Sequence, residues 1–242
     1  LDKVWMDYVL HPDSIVFATG NLATDGVGNA LLAHASNRVT TLNIRKSTVD
    51  EWLVWATNAG LSMELRAFVK MTPSVMASYL DGITPQDNEH VFIPVHRTKQ
   101  FCSPRSLANC DPDIVNRGRL GHSLTMAALA GSIGVPSAKQ LAAVLALKDE
   151  VVLAEDVIKD PDNVRVPEKQ AALFMMMFNA IDVIQTQDDL SKFMKFMRRT
   201  KSEELQSVFF TMAMGSKRLS PIASKNAEIS KWLQDGNYQL LT

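Results

Sequence analysis

Cysteine is nearly absent from this 242-residue chain: Cys102 and Cys110 are the only two. Seven residues separate them and no histidine stands nearby at structural-zinc spacing, so neither a metal site nor a disulfide framework is indicated, and two reduced thiols are predicted. None of the five histidines has a histidine partner at i+4 or a cysteine at ligand spacing, and no chemistry is assigned to them. Long apolar runs are also missing. No stretch approaches the ~20 residues needed to span a bilayer, and no signal peptide opens the chain, so no membrane contact is predicted and the cytoplasm is the expected compartment. Net charge is close to zero, with 25 basic against 26 acidic residues, which excludes non-specific attraction to nucleic acid by overall field alone. A Gly-x-x-x-x-Gly-Lys-Ser/Thr phosphate loop is absent, as is an apolar strand ending in paired carboxylates, so this chain by itself is not expected to hydrolyse a nucleotide.

What is present is 46% hydrophobic residues, ample for a core at this length. The chain opens on Leu1, and Leu1, Val4, Trp5, Tyr8 and Val9 read as the middle of a helix, which suggests a truncated product. Ile15-Val16-Phe17-Ala18 is a short apolar run bounded by His11-Pro12-Asp13 and Gly20-Asn21, the pattern of a strand buried on both faces. Thr40 to Ile44 is a second candidate strand, and a helical segment from Asn29 to Ala35 fits the crossover between parallel neighbours. Asp25-Gly26-Val27-Gly28 lacks a third glycine and reads as a flexible turn.

From Thr48 onward the pattern is helical. Thr48-Val49-Asp50-Glu51 is a capping box, Trp52, Leu53, Trp55 and Ala56 follow a helical period, and Gly60 closes the segment. Further helices are predicted over 62–70, 73–80, 120–133, 138–147, 167–185, 188–200, 203–214 and 222–234. A long loop over 81–100 holds one short candidate strand at Val91 to Ile93. Ser103 caps a helix with Pro104 in its first position, where a missing N–H costs nothing. Met175-Met176-Met177 reads as adaptable core packing. Lys192, Lys195, Arg198 and Arg199 recur at spacings of three and four, and read as a solvated face with nucleic acid as the alternative.

Three short motifs carry the candidate chemistry. Asn21 directly follows the first apolar run, where open α/β sheets place their ligands. Arg38, in Asn37-Arg38-Val39, precedes the second run, with Arg45 its nearest competitor. Arg105, in Ser103-Pro104-Arg105-Ser106, places a cation in the first turn of a helix, which is unfavourable unless an anion is bound there.

The order and context of these motifs over residues 14–108 resembles the AAA-plus ATPases, in particular the MoxR and dynein-related clade of bacteria and phages. The resemblance implies that Asn21 is sensor 1, orienting a water, and that Arg38 is the arginine finger reaching a neighbour's γ-phosphate. It makes Arg105, with Ser103, the sensor 2 contact to the subunit's own nucleotide. The Asp-Arg-Phe usual around the finger is Asn37-Arg38-Val39 in this chain. The implied architecture is mainly α: a remnant of a P-loop α/β core with two parallel strands (residues 1–44), a helical lid (45–109) and an α-helical extension (110–242). The complete parent would bind ATP and Mg between subunits of a ring, a hexameric homo-oligomer, and remodel a partner protein. No tight nucleotide binding is expected of this chain alone. The alternatives are a non-catalytic helical interaction module and a clamp-loader-like ATPase acting on nucleic acid.

Overall fold

The computed structural model describes residues 4, 5, 7–20, 38–83, 87–91 and 100–234. The chain divides after Arg45 into two units, Leu1–Arg45 and Lys46–Thr242. It is mainly helical. Among the described residues the one strand ladder is a two-residue antiparallel pair, β1 (Val4–Trp5) with β2 (Tyr8–Val9), in register Val4 to Val9 and Trp5 to Tyr8. This corrects the helix expected at the start of the chain. Valine, tryptophan and tyrosine are strand-favouring types, and Asp7 suits the turn between them.

The two apolar runs expected as parallel strands are not strands in this structure: residues 14–20 and 40–45 have no ladder partner among the described residues. An extended segment satisfies its backbone donors and acceptors only through neighbours. Without them its side chains stay in solvent. Ile15 is 88% exposed, Phe17 82% and Ile44 89%. The expected crossover over 29–35 lies outside the described residues.

The second unit contains α1 (Val49–Asn58), α2 (Met63–Met71), α3 (Pro104–Asn109), α4 (Asp111–Val115), α5 (Arg117–Ile133) and α6 (Val135–Leu145). It continues with α7 (Ala154–Lys159), α8 (Gln170–Val183), α9 (Gln187–Arg199), α10 (Glu203–Gly215), α11 (Ser220–Ala223) and α12 (Ala227–Gln234). Short 3-10 turns stand at Pro73–Met76, Tyr79–Asp81 and Lys148–Glu150. No helix among the described residues is long and apolar enough to cross a membrane.

The centre of this unit is α8. Its sequence is apolar on nearly every face, and Ala171, Ala172, Phe174, Met175, Met176, Met177, Phe178, Ala180 and Ile181 are all buried, as befits a helix surrounded by others. α2 lies along it. Phe68, Phe174, Phe178, Phe193, Phe196 and Phe209 are all fully buried, with Phe193 and Phe209 at 5.0 Å between ring centroids. Each contributes about 1.5–3 kcal/mol by leaving water.

Arg66, fully buried in this core, is paired. The Arg66 guanidinium donates to both carboxylate oxygens of Asp182, near the end of α8, and lies 5.1 Å above the Phe178 ring. The last carbonyls of α8, which have no partner within the helix, receive the Arg218 guanidinium at Ile181 and Ile184. A second long-range link joins the two ends of the unit. Asn58 Nδ2 donates to Gly215 O (2.9 Å) and Asn58 Oδ1 accepts from Lys217 N–H (2.7 Å). The approach is close because position 215 is glycine: a Cβ there would fall 2.7 Å from Val54 Cγ2.

Candidate functional site

α1 begins on the predicted box: Thr48 Oγ1 accepts from Glu51 N–H at 3.2 Å and Glu51 Oε2 accepts from Thr48 N–H at 2.9 Å. That start sets the helix phase and places Glu51, Trp52 and Trp55 on one face, since residues three and four apart are neighbours. α3 begins on a second reciprocal box, between Ser103 and Ser106, with Pro104 in its first position. The two helices are fastened by the Trp52 indole, whose Nε1–H donates to Pro104 O at 3.2 Å.

Between them lies a groove of about 570 Å³, lined by Glu51, Trp52 and Trp55 from α1 and by Pro104, Arg105 and Ala108 from α3. Trp52 is buried and forms its floor, whereas Trp55 is 49% exposed, with 6.0 Å between the two indole centroids. Arg105 is exposed and has no ionic or hydrogen-bonded partner among the described residues. The acid nearest in sequence is engaged elsewhere: Asp111 accepts from both the N–H and the hydroxyl of Ser62 and so caps α2.

The groove therefore offers an unpaired guanidinium beside two aromatic faces. Its anion attraction resides in the Arg105 side chain rather than in the helix end. α3 is only six residues long, Pro104 has no N–H, Ser106 N–H is donated to Ser103 Oγ at 3.1 Å, and Leu107 N–H to Ser103 O at 2.9 Å. Ser103, expected at the ligand, is engaged with Ser106 in starting the helix. Arg38 is exposed and unpaired among the described residues of the first unit, and Asn21 lies outside the described residues.

The basic stripe of α9 is not available as a surface of free charge. Lys192 pairs with Asp188 (2.6 Å), Lys195 with Asp162 (2.6 Å) and Arg198 with Glu228. Arg199 donates to Pro161 O at 2.7 Å and lies over Phe196. These cations sit on a helical core, as a solvated face does.

Sequence spacing missed a buried polar cluster at residues 88–91, 102 and 137. His90, 5% exposed, has its Nδ1 2.8 Å from the Oγ of Ser137, itself 1% exposed, and Cys102 also hydrogen-bonds to Ser137. Nothing in a separation of 47 residues signals this contact. Burial pushes the Cys102 thiol up to about 12 against the hydrogen bond from Ser137, and burial raises Cys110 to about 12 as well. Both cysteines are free, and such thiols are protonated and poor nucleophiles at neutral pH. Among the described residues no group of three or more histidine, cysteine or carboxylate side chains is placed to hold a metal.

Compared with known proteins, the chain matches no family model, no curated protein and no solved structure. The family resemblance therefore rests on the three motifs and their order.

Proposed function

We propose that this chain is the C-terminal part of an AAA-plus ATPase of the MoxR and dynein-related clade, whose complete form works as a hexameric ring that remodels a partner protein. The observation that carries the reading is Arg105. It stands unpaired beside a roomy groove, on a helix whose start is held by its own cap and by Trp52 from α1. A guanidinium held this way is suited to a phosphate group, which it can contact with two parallel hydrogen bonds. In this reading Arg105 senses the subunit's own ATP, Asn21 orients the attacking water, and Arg38 stabilises charge on the neighbour's γ-phosphate. ATP and Mg belong to the parent. The exposed apolar runs over 14–18 and 39–44 support the same reading, because core strands removed from their sheet would present such surfaces.

The test is made on the parent. Its coding sequence upstream of Leu1 is expected to carry a phosphate loop and then an apolar strand ending in paired carboxylates. In that protein Arg105→Ala is expected to lower ATP turnover at least tenfold, and Arg38→Ala about 10³-fold, as for other arginine fingers. A parent without those motifs, or turnover unchanged in both variants, sinks the proposal. A helical interaction module is the second reading, favoured by the largely apolar lining of the groove with its half-exposed Trp55. It requires no phosphate loop upstream, so the same sequence separates the two. The clamp-loader alternative rests on the stripe of Lys192, Lys195, Arg198 and Arg199 alone, whose cations are engaged by Asp188, Asp162, Glu228 and the Pro161 carbonyl.

A further inference from the structure

α5 is one run of helix broken in two. At Gly121 the backbone takes φ 73° and ψ 167°, a conformation confined to glycine, and the chain starts afresh as a helix over 122–133. As at any helix start, its first amides lack carbonyl partners within the helix, and a glycine in the cap position brings no side chain to receive them. Gly121, His122 and Ser123 are all exposed, and a Cβ on Gly118 or Gly121 would meet no atom within 4 Å. The amides therefore face open ground.

One turn further in, Thr125 carries a buried hydroxyl without a partner: the residue is 5% exposed and its Oγ1 makes no hydrogen bond. A threonine inside a helix ordinarily turns its hydroxyl back to the carbonyl four residues earlier. That carbonyl belongs to Gly121, at the break, and no such bond forms. Helical side chains lean toward the N-terminus and residues four apart share a face, so the Thr125 hydroxyl is directed at Gly121 and the helix start. A buried hydroxyl is costly to leave unsatisfied, which makes the place it faces a site for an acceptor.

The charge around the break has one sign. Between Asp113 and Asp149 the sequence holds no carboxylate side chain, while Arg117, Arg119, Lys139 and Lys148 are cationic. Arg117 is engaged, pairing with Glu64 at 2.7 Å and donating to Ile114 O at 2.8 Å. Arg119, two residues before the break, is exposed and has neither ion pair nor hydrogen bond among the described residues. We propose that this helix start, with Arg119 and the Thr125 hydroxyl, binds a phosphate group. The helix end carries partial positive charge and unpaired amides, Arg119 supplies a planar pair of donors for two phosphate oxygens, and the Thr125 hydroxyl donates to an oxygen seated over Gly121, where no side chain intervenes. The open ground at Gly118 and Gly121 admits the phosphate of a small ester as well as the free ion. No residue of α1 or α3 takes part, so the site is independent of Arg105 and its groove.

The test follows the amide resonances of residues 121–124 in the 242-residue chain as inorganic phosphate or glycerol phosphate is added, against sodium chloride at equal ionic strength. Saturable shifts in those amides are expected from phosphate, with a dissociation constant of about 1 mM or tighter, and none from chloride. Tighter binding of the ester identifies a small-molecule phosphate as the ligand, and tighter binding of the ion identifies the free anion. Arg119→Gln is expected to weaken binding about tenfold. Thr125→Val, which keeps the shape and loses the hydroxyl, is expected to weaken it about fivefold and, without phosphate, to leave the urea midpoint unchanged or raise it. A lower midpoint for Thr125→Val shows the hydroxyl to be satisfied within the protein and overturns the site. So do shifts that chloride reproduces, an absence of shifts from both phosphates, or phosphate binding that survives both substitutions.

Discussion

The two units put similar apolar residues to opposite use. In Leu1–Arg45, Ile15, Val16, Phe17, Leu42 and Ile44 are exposed, while in Lys46–Thr242 six phenylalanines and three consecutive methionines are closed to water. Hydrophobicity alone does not separate them. A helix satisfies its own backbone and arrives at its neighbour with only side chains to bury, so α8 can be enclosed by other helices. An extended run must first find strands to pair with, and among the described residues neither run has a ladder partner. The difference teaches that a core is specified by apolar residues together with a backbone partner.

Five substitutions sharpen or break that contrast. Phe178→Ala, at the middle of the helical unit, is expected to cost about 3–5 kcal/mol of unfolding free energy in urea titration, since it removes a ring from a closed core and the cation contact of Arg66. Asp182→Ala is expected to cost about 3 kcal/mol. It leaves the Arg66 guanidinium buried without its carboxylate, and the half-exposed position of Asp182 keeps the loss at the lower end of the range. If the loss is below 1 kcal/mol, the pair does not hold α2 to α8.

Thr186→Ala, at the capping box of α9, is expected to cost about 1 kcal/mol. Its box partner adds a pH signature. Burial alone would raise the Asp189 carboxyl, but hydrogen bonds with the Thr186 side chain and from the Gln185 and Thr186 amides outweigh it and hold it below the usual carboxylate range. That contribution is present above about pH 4 and is lost as pH falls further, so Asp189→Asn should destabilise at pH 7 and have little effect at pH 2.5. The smallest effect is expected for Phe17→Ser, within about 0.5 kcal/mol for the unfolding of the helical unit. A loss comparable to that of Phe178→Ala would erase the contrast between the two units.

Local signals in the sequence were legible where the chemistry is local. The Thr48 box, the left-handed Gly60 and the Ser103-Pro104 start all stand where the residues predict them. Signals that compete were misread. A single helix over 73–80 is instead two 3-10 turns, because the Ser78 side chain accepts from Leu80 N–H and starts the chain afresh. The predicted 222–234 helix is broken by Asn226, whose Oδ1 accepts from the N–H groups of Glu228 and Ile229. In α5 the chain kinks at Gly121, with φ 73°. The site divides in the same way. The helix start that carries Arg105 was legible from four adjacent residues, whereas Trp55 read as part of a core stripe and His90 as inert, since the groove and the Ser137 contact join residues about 50 apart.

The Asn58 bridge adds a constraint of timing. Its partners at Gly215 and Lys217 are among the last residues of the helical unit to be synthesised, so α1 leaves the ribosome more than 150 residues before the segment that secures its end. Through the interval the end of α1 lacks its partner. A nascent chain halted before Gly215 leaves Val54 and Asn58 of α1 without the segment that packs on them in the finished protein.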